Sequence, residues 1–140
     1  MRQKKWPVAA AVLLAAAVFF GLWQRECRDR SELELLCRSA AHSALESFQT
    51  YRDVGDESDY WYGVADFRSF EQAFYLLTED TVRQADYVFC NEVYSHMVLY
   101  PERARAHMDE VIEVFSLWAE DVYDPNGCLR MAELRNTLSE

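Results

Sequence analysis

Residues that interrupt helices and strands are scarce in this chain. Of its 140 residues, only four are glycine and three are proline. Glycine and proline supply most tight turns, so an all-β protein with many short connections is disfavoured. Hydrophobic residues make up 51% of the sequence, which is enough for a core and argues against an intrinsically disordered chain. The composition predicts one mainly helical domain with a terminal extension.

The sequence also lacks the short motifs that mark common enzymes and cofactor sites. It contains no G-x-S-x-G nucleophile turn, no H-E-x-x-H metal motif, no C-x-x-C pair and no glycine-rich phosphate loop. In an acidic chain, neighbouring carboxylates arise by chance and do not identify a catalytic dyad. We therefore predict that the protein is not an enzyme and that it uses no cofactor or metal.

Charge is distributed unevenly along the chain. Acidic residues are absent before Glu26, and lysine is absent after Lys5. From Arg25 onward, 24 acidic residues stand against 11 arginines, which leaves that part of the chain with a net charge of −13. Nucleic acids bind proteins through lysine and arginine, so a body this acidic would repel them. Nucleic acid is therefore excluded as a partner.

The amino terminus combines a cationic stub with an uncharged apolar run. Residues 1–7 (MRQKKWP) precede 16 residues without charge, VAAAVLLAAAVFFGLW at 8–23. This order is typical of a signal peptide or a signal anchor. As a helix the run would measure about 24 Å against roughly 30 Å of hydrocarbon, and Trp6 and Trp23 stand at interface positions.

Cleavage of this segment is the alternative to anchoring. The run Ala15-Ala16-Ala17 satisfies the A-x-A cleavage pattern. Cutting there would leave VFFGLW as an apolar mature terminus, so we favour an uncleaved anchor. The predicted organisation is a cytoplasmic stub at 1–7, a transmembrane signal anchor at 8–24 and a body at 25–140. We expect a single-pass membrane protein with an extracytoplasmic body.

The body shows helical periodicity and helix boundaries. Ser31 and Glu34 have the spacing of a capping box, which predicts the start of a first helix after the anchor. Gly55 ends that helix. Thr81 and Gln84 form a second such box and predict the start of a third helix.

The fourth predicted helix has the cleanest pattern, and a turn follows it. Pro101 suits its first turn. Its apolar residues recur at alternating steps of four and three: Ala104, Met108, Val111, Phe115, Trp118 and Val122. Residues 124–127 (DPNG) predict a turn before a short last helix. The fold prediction is all-α: an N-terminal transmembrane helix followed by a small antiparallel four-helix bundle, with a short fifth helix as a cap or return.

The second helix carries seven aromatic residues in the stretch YWYGVADFRSFEQAFYLL at 60–77. At 100° per residue, one arc collects Tyr60, Gly63, Phe67, Phe70, Phe74 and Leu77, which predicts a core stripe. Trp61, Tyr62 and Leu76 point the other way. Either this helix is central in the bundle, which we favour, or these three residues form a partner surface. Arg68 and Glu71 predict an intrahelical ion pair with a partly buried carboxylate.

The four cysteines permit two disulfides in any of three pairings. Cys27 and Cys37 lie ten residues apart, which is roughly 15 Å on one straight helix and too far for a bond. If a disulfide forms, Cys90 and Cys128 are the preferred pair, because both lie on helix faces that could meet. Buried free thiols are the equal alternative.

Histidines and carboxylates on neighbouring helices suggest a weaker hypothesis. Glu92 and His96 lie four residues apart, and His107 lies on the next predicted helix. Helical bundles bind metals through Glu and His residues that face each other from neighbouring helices. The sequence lacks the paired Glu-x-x-His pattern of di-iron proteins.

The functional prediction is a membrane-anchored, non-enzymatic protein-interaction or scaffold module. Its membrane contact would be residues 8–24, and its protein contact would involve Trp61 and Tyr62 with a partner or a second copy. The alternative is a sensory ectodomain that binds a small ligand or metal around Glu92, His96 and His107, between the third and fourth predicted helices.

Overall fold

The computed structural model describes residues 5–79 and 81–140, with side chains from Leu14 onward. The described residues form helices and no strand, so the all-α prediction is confirmed. The helices are α1 (Lys5–Val54), α2 (Glu57–Thr78), α3 (Gln84–Leu99), α4 (Pro101–Ala106), α5 (Met108–Glu120) and α6 (Pro125–Ser139).

The chain divides into two compact units, residues up to Glu32 and Leu33–Glu140. In the first unit, the described apolar side chains are exposed: Leu14, Val18, Phe19, Phe20, Leu22 and Trp23. In the part of the chain that the structure describes, no helix combines the length and apolarity needed to cross a membrane. The predicted transmembrane helix at 8–24 therefore has no support from the structure. Residues 1–4 of the predicted stub, and the side chains of 5–13, lie outside the described part.

The second unit is a helical bundle in which consecutive long helices run antiparallel. Between α2 and α3, Phe67 contacts Tyr94 and Tyr75 contacts Tyr87, so the residue numbers rise on one helix as they fall on the other. The helices α3 and α6 run parallel, because Glu92 pairs with Arg135 and Ser139 lies beside His96. The bundle prediction is thus confirmed, and the predicted short fifth helix is α6, a full 15-residue helix.

Aromatic rings fill the centre of the bundle. Phe70 stacks on Trp118 with ring centroids 4.8 Å apart, and Phe67 meets Phe115 edge-on at 4.9 Å. Phe48 of α1 reaches Phe115 from the other side, at 5.6 Å. The predicted core stripe of α2 is buried along its whole length, so most of its rings serve packing.

Two glycines allow helices to approach closely. A Cβ added at Gly63 would lie 2.5 Å from the Phe48 ring, and one added at Gly127 would lie 2.3 Å from Trp118 Nε1. Real Cβ atoms do not approach other atoms so closely, and both rings are fully buried. Glycine at these positions therefore lets α1 pack on α2 and α6 pack on α5.

Both predicted capping boxes were wrong. The helix α1 runs through Ser31 without a break, and the Ser31 hydroxyl donates to the Cys27 carbonyl at 2.9 Å. A serine within a helix can satisfy its hydroxyl in this way without ending the helix. The helix α3 begins at Gln84 after Arg83, and no side chain caps it. The Thr81 hydroxyl instead donates to the Thr78 carbonyl at the end of α2.

The predicted fourth helix is broken into α4 and α5 at His107. The backbone of His107 has φ −114° and ψ 30°, and its N–H bonds to the Ala104 carbonyl, a tighter turn than an α-helix makes. Ala104 and Met108, on either side of the break, remain buried. The predicted turn at 124–127 is the cap and first turn of α6, where Asp124 accepts from the Asn126 N–H at 2.8 Å.

Candidate functional site

The outward face of α2 carries the three residues predicted to form a partner surface. Trp61, Tyr62 and Leu76 expose 41%, 64% and 54% of their surface. The Trp61 ring also packs edge-on against the buried Tyr60, with centroids 5.2 Å apart. Their exposure leaves all three available for contact, while the opposite face of the helix belongs to the core.

The exposed positions on the same face of the helix carry no charge, and Asp66 and Arg68 flank this face on either side. Within an arc of about 100° on the helix, the exposed residues are Ser58, Trp61, Tyr62, Ala65, Ser69, Gln72 and Leu76, and we call this set the α2 strip. The chain as a whole carries a net charge of −10. An uncharged strip with a Trp and a Tyr on such a protein shares two features with interface cores, where charged residues are depleted and Tyr and Trp are enriched.

A buried ion pair lies at the edge of the strip. Glu71 is 1% exposed, and one of its carboxylate oxygens accepts from Arg68, as the sequence predicts. Its other oxygen, Oε1, is buried without a hydrogen-bond partner. The Arg68 guanidinium is half-exposed and lies over the Tyr94 ring at 5.1 Å. This arrangement holds a charge between α2 and α3.

The preferred cysteine pair lies on helices that meet, but both residues are free thiols. Cys90 is fully buried on α3, and Cys128 is partly buried in the first turns of α6. The Cys128 Sγ accepts a hydrogen bond from Arg83 at 2.8 Å, and Arg83 also pairs with Asp86 at 3.1 Å. Burial raises the pKa of Cys128 to about 11, although the Arg83 guanidinium opposes the shift. The Cys90–Cys128 disulfide remains a prediction.

The other two cysteines differ in accessibility. Cys27 is exposed and Cys37 is fully buried. Burial, with a smaller contribution from the Glu34 charge, raises the pKa of Cys37 to about 12. Of these two thiols, only Cys27 is open to reagents in the folded protein.

The residues of the metal hypothesis have other partners. Glu92 pairs with Arg135 at 2.8 Å, His96 Nε2 lies 3.3 Å from the Ser139 hydroxyl, and His107 pairs with Glu110 at 2.9 Å. Across residues 5–79 and 81–140, no group of three His, Cys, Asp or Glu side chains is arranged to hold a metal ion. The metal-binding alternative gains no support from this geometry.

A groove between α5 and α6 is too small and too polar to favour a small-ligand site. Its volume is about 190 Å³, below the roughly 300 Å³ at which ligand pockets begin. Arg130 crosses it and pairs with Glu113 at 3.0 Å and with Glu133 at 2.8 Å. The groove is filled by a surface ion-pair network.

Sequence reasoning missed Arg105, which joins three helices. On α4, its guanidinium lies over the Tyr60 ring of α2 at 4.7 Å and near the Tyr51 ring of α1 at 5.8 Å. It pairs with Glu57 and Glu102 at 3.1 and 3.0 Å. The Tyr60 hydroxyl donates in turn to the Met97 carbonyl at 2.8 Å. Only the pairing with Glu102, three residues away, has a sequence signal.

The comparisons with known proteins add no functional assignment. No protein-family model, no curated protein and no solved structure matches the chain. Function must therefore be argued from the residues themselves.

Proposed function

We propose that the protein is a membrane-anchored helical bundle that acts as a non-enzymatic protein-interaction module, and that the α2 strip is its binding surface. The observation that carries this proposal is the exposure of Trp61, Tyr62 and Leu76 on an uncharged face of an otherwise acidic bundle. Trp61 and Tyr62 are adjacent, and Leu76 lies about 21 Å further along the helix. Exposed apolar patches on a folded domain mark interaction sites.

The strip is not needed to complete the core. The inward face of α2 already packs against α3 and α5 through Phe67, Phe70 and Phe74. Keeping large rings on the opposite face in water is unfavourable unless a partner covers them, because burying apolar surface contributes about 25 cal/mol per Å². A contact surface gives these rings a role that folding does not.

The chemistry of the strip defines the partner that fits it. Because each of its seven residues is uncharged, the strip matches an uncharged apolar protein surface and gives no attraction to a basic one. The area of one helix face is below the roughly 800 Å² per partner of a stable interface, so we expect a transient contact.

The anchor is part of the proposal and rests on the sequence of residues 8–24. The cationic stub, the uncharged run and the flanking tryptophans support it. The exposed apolar side chains from Leu14 to Trp23 would be covered by lipid. Anchoring would confine the bundle to the membrane surface, which raises the effective concentration of a weakly binding partner there.

The test compares surface variants by crosslinking and co-purification from membranes of the native host. Trp61→Ala combined with Tyr62→Ala should lose the captured partner while the chain keeps its helicity, since the buried face of α2 is intact. The melting temperature should fall only slightly, through loss of the contact between Trp61 and Tyr60. Leu76→Ala should weaken capture. Leu129→Ala is its matched control, because Leu129 is 57% exposed but lies on α6.

Two results would contradict the proposal. If the double variant unfolds, Trp61 and Tyr62 belong to the core and the strip is no free surface. If the double variant folds and captures the same partners as the wild type, the interaction surface lies elsewhere.

A further inference from the structure

The first unit carries a hollow on one face of α1, where the apolar run ends. The hollow has a volume of about 370 Å³ and is lined by Gly21, Gln24, Arg25 and Arg28. At about 100° per residue, these four positions fall within an arc of about 100°. Glu26 lies about 100° from Arg25 and about 160° from Arg28 around the helix, so it points away. The hollow therefore lies beside two guanidinium groups.

Packing within the chain does not explain Gly21. A Cβ added there would meet no atom of the described chain within 4 Å beyond its own turn of helix. Glycine in the interior of a helix is less favourable than alanine, and alanine is the commonest residue of the run before it. The missing side chain leaves the hollow open beside the arginines. Space for a ligand is a reason for glycine here that folding does not supply.

Both arginines can turn toward a ligand. Arg25 pairs with Asp29, but the paired atoms lie 3.9 Å apart and the two side chains are 75% and 61% exposed. An exposed ion pair of this kind contributes little, so another anion can replace it. Arg28 is exposed about one turn further along. Guanidinium groups bind phosphate oxygens through paired N–H donors, so two of them beside one hollow fit a phosphate group.

The level of the hollow along the helix indicates where that phosphate comes from. The apolar run ends at Trp23, whose ring is exposed at a position typical of the membrane interface. The run at 8–23 would measure about 24 Å, roughly 6 Å less than the hydrocarbon layer. Arg25 and Arg28 follow Trp23 by about 3 and 7.5 Å along the axis, which is the depth of lipid phosphates. A free phosphate would match the charges but would give the adjoining apolar run no role.

We infer that the hollow at Gly21, Arg25 and Arg28 binds the phosphate group of a membrane phospholipid. This inference rests on the membrane anchor of the proposed function and adds its headgroup contact. The stems of the two arginines lie along the apolar surface while their guanidinium groups reach the phosphate. The contact holds a short apolar run at a fixed depth in the bilayer.

Lipid binding by the full-length chain tests this site. The chain is purified in a phosphate-free detergent, dioleoylphosphatidylglycerol is added to the micelles, and native mass spectrometry measures the lipid-bound fraction. Arg25→Gln combined with Arg28→Gln should lower the affinity for the lipid by roughly tenfold or more, because two cations near a phosphate are lost. The control is Arg30→Gln combined with Arg38→Gln, which removes the same charge from exposed positions on other faces of α1.

Gly21→Leu fills the hollow and should also weaken lipid binding, whereas Ala15→Leu adds the same kind of side chain to another face and should not. The inference is overturned if the Arg25 and Arg28 variant binds as much lipid as the wild type, or if the charge control loses as much. Inorganic phosphate that binds as well as the lipid would show an anion site without lipid selectivity, and the lipid assignment would be wrong.

Carbonate extraction of membranes separates failure of this site from failure of the proposed anchor. If the wild type stays in the pellet but its lipid binding does not depend on Arg25 and Arg28, the anchor stands and this site is wrong. If carbonate releases the wild type, the anchor is wrong and the headgroup contact falls with it. Capture of a protein partner by the α2 strip should be unchanged in the Arg25 and Arg28 variant.

Discussion

At the scale of single residues, the Arg68–Glu71 pair is the most consequential polar contact in the bundle. Glu71 is buried while Arg68 is half-exposed, so the cation bridges the carboxylate to solvent. Removing one partner of a buried pair leaves an uncompensated charge, which costs more than the pair contributes. The stability of α2 therefore depends on Arg68, although Arg68 lies at the surface.

We expect Arg68→Met to destabilise the fold by about 1–3 kcal/mol, because the Glu71 carboxylate loses its cation and solvent screens only part of the cost. Arg68→Met with Glu71→Met should recover most of that loss, since no charge stays buried. Chemical denaturation measures both free energies of unfolding. The control is Arg130→Met, which removes the ion pairs of Arg130 with Glu113 and Glu133. All three side chains are about half-exposed, so this substitution should lower the free energy of unfolding by less than about 1 kcal/mol. Equal losses for Arg68 and Arg130 would contradict this account.

Asp66 gives the pH dependence of α2. Partial burial raises the pKa of Asp66 above its ordinary value of 3.8. Between that value and the raised pKa, the folded state binds more protons than the unfolded state, so stability falls as pH rises through this window. The penalty is complete at neutral pH and absent below 3.8.

Asp66→Asn should therefore melt at a higher temperature than the wild type at pH 7, and the difference should vanish as pH falls below 3.8. Thermal melts across this range measure it. Glu26→Gln changes the net charge by the same amount at an exposed position and separates the local effect from the global one. A difference that persists at low pH, or that Glu26→Gln reproduces, would show that burial of Asp66 is not the cause.

At the scale of helices, local patterns predicted faces better than ends. The core stripe of α2 and the Arg68–Glu71 pair depend on spacings of three and four residues, and both are present. The capping boxes at Ser31 and Thr81 are equally local, but each hydroxyl had an alternative acceptor in the preceding turn. At Ser31 the backbone is already helical, so the serine starts no helix. Thr81 lies beyond the end of α2 and bonds back to it instead of to the first turn of α3.

Contacts between distant helices could not be predicted from the sequence. Arg83 and Cys128 are 45 residues apart, and Arg105 and Glu57 are 48 apart. Their pairing depends on which faces meet after packing, and the apolar pattern predicts that a helix has a buried side without naming its neighbour. The break at His107 was also missed, because the apolar steps continue across it from Ala104 to Met108.

At the scale of the whole molecule, surface charge and surface exposure separate three regions. The apolar amino-terminal run is exposed where described, the bundle surface is largely acidic, and the α2 strip is uncharged. The sequence predicted the helical class and a bundle, because both follow from periodicity and a lack of breakers. Of the strip, it named Trp61, Tyr62 and Leu76 and favoured a central position for α2, whereas the structure leaves these three side chains exposed. The pattern could not decide, since α2 is apolar on both sides.

The proposed topology makes a prediction for the intact protein in its host. Cys27 follows the anchor by three residues and is exposed, whereas Cys37 and Cys90 are fully buried. A membrane-impermeant maleimide should therefore label intact cells mainly at Cys27 if the body lies outside, and Cys27→Ser should lose most of this label. The chain should also stay in the membrane pellet after carbonate extraction. Labelling that requires lysis would show that the body lies on the cytoplasmic side. Release by carbonate would show that residues 8–24 do not anchor the chain. If the released chain has the mass expected for residues 18–140, the segment is cleaved after Ala17, because signal peptidase cuts at A-x-A sites.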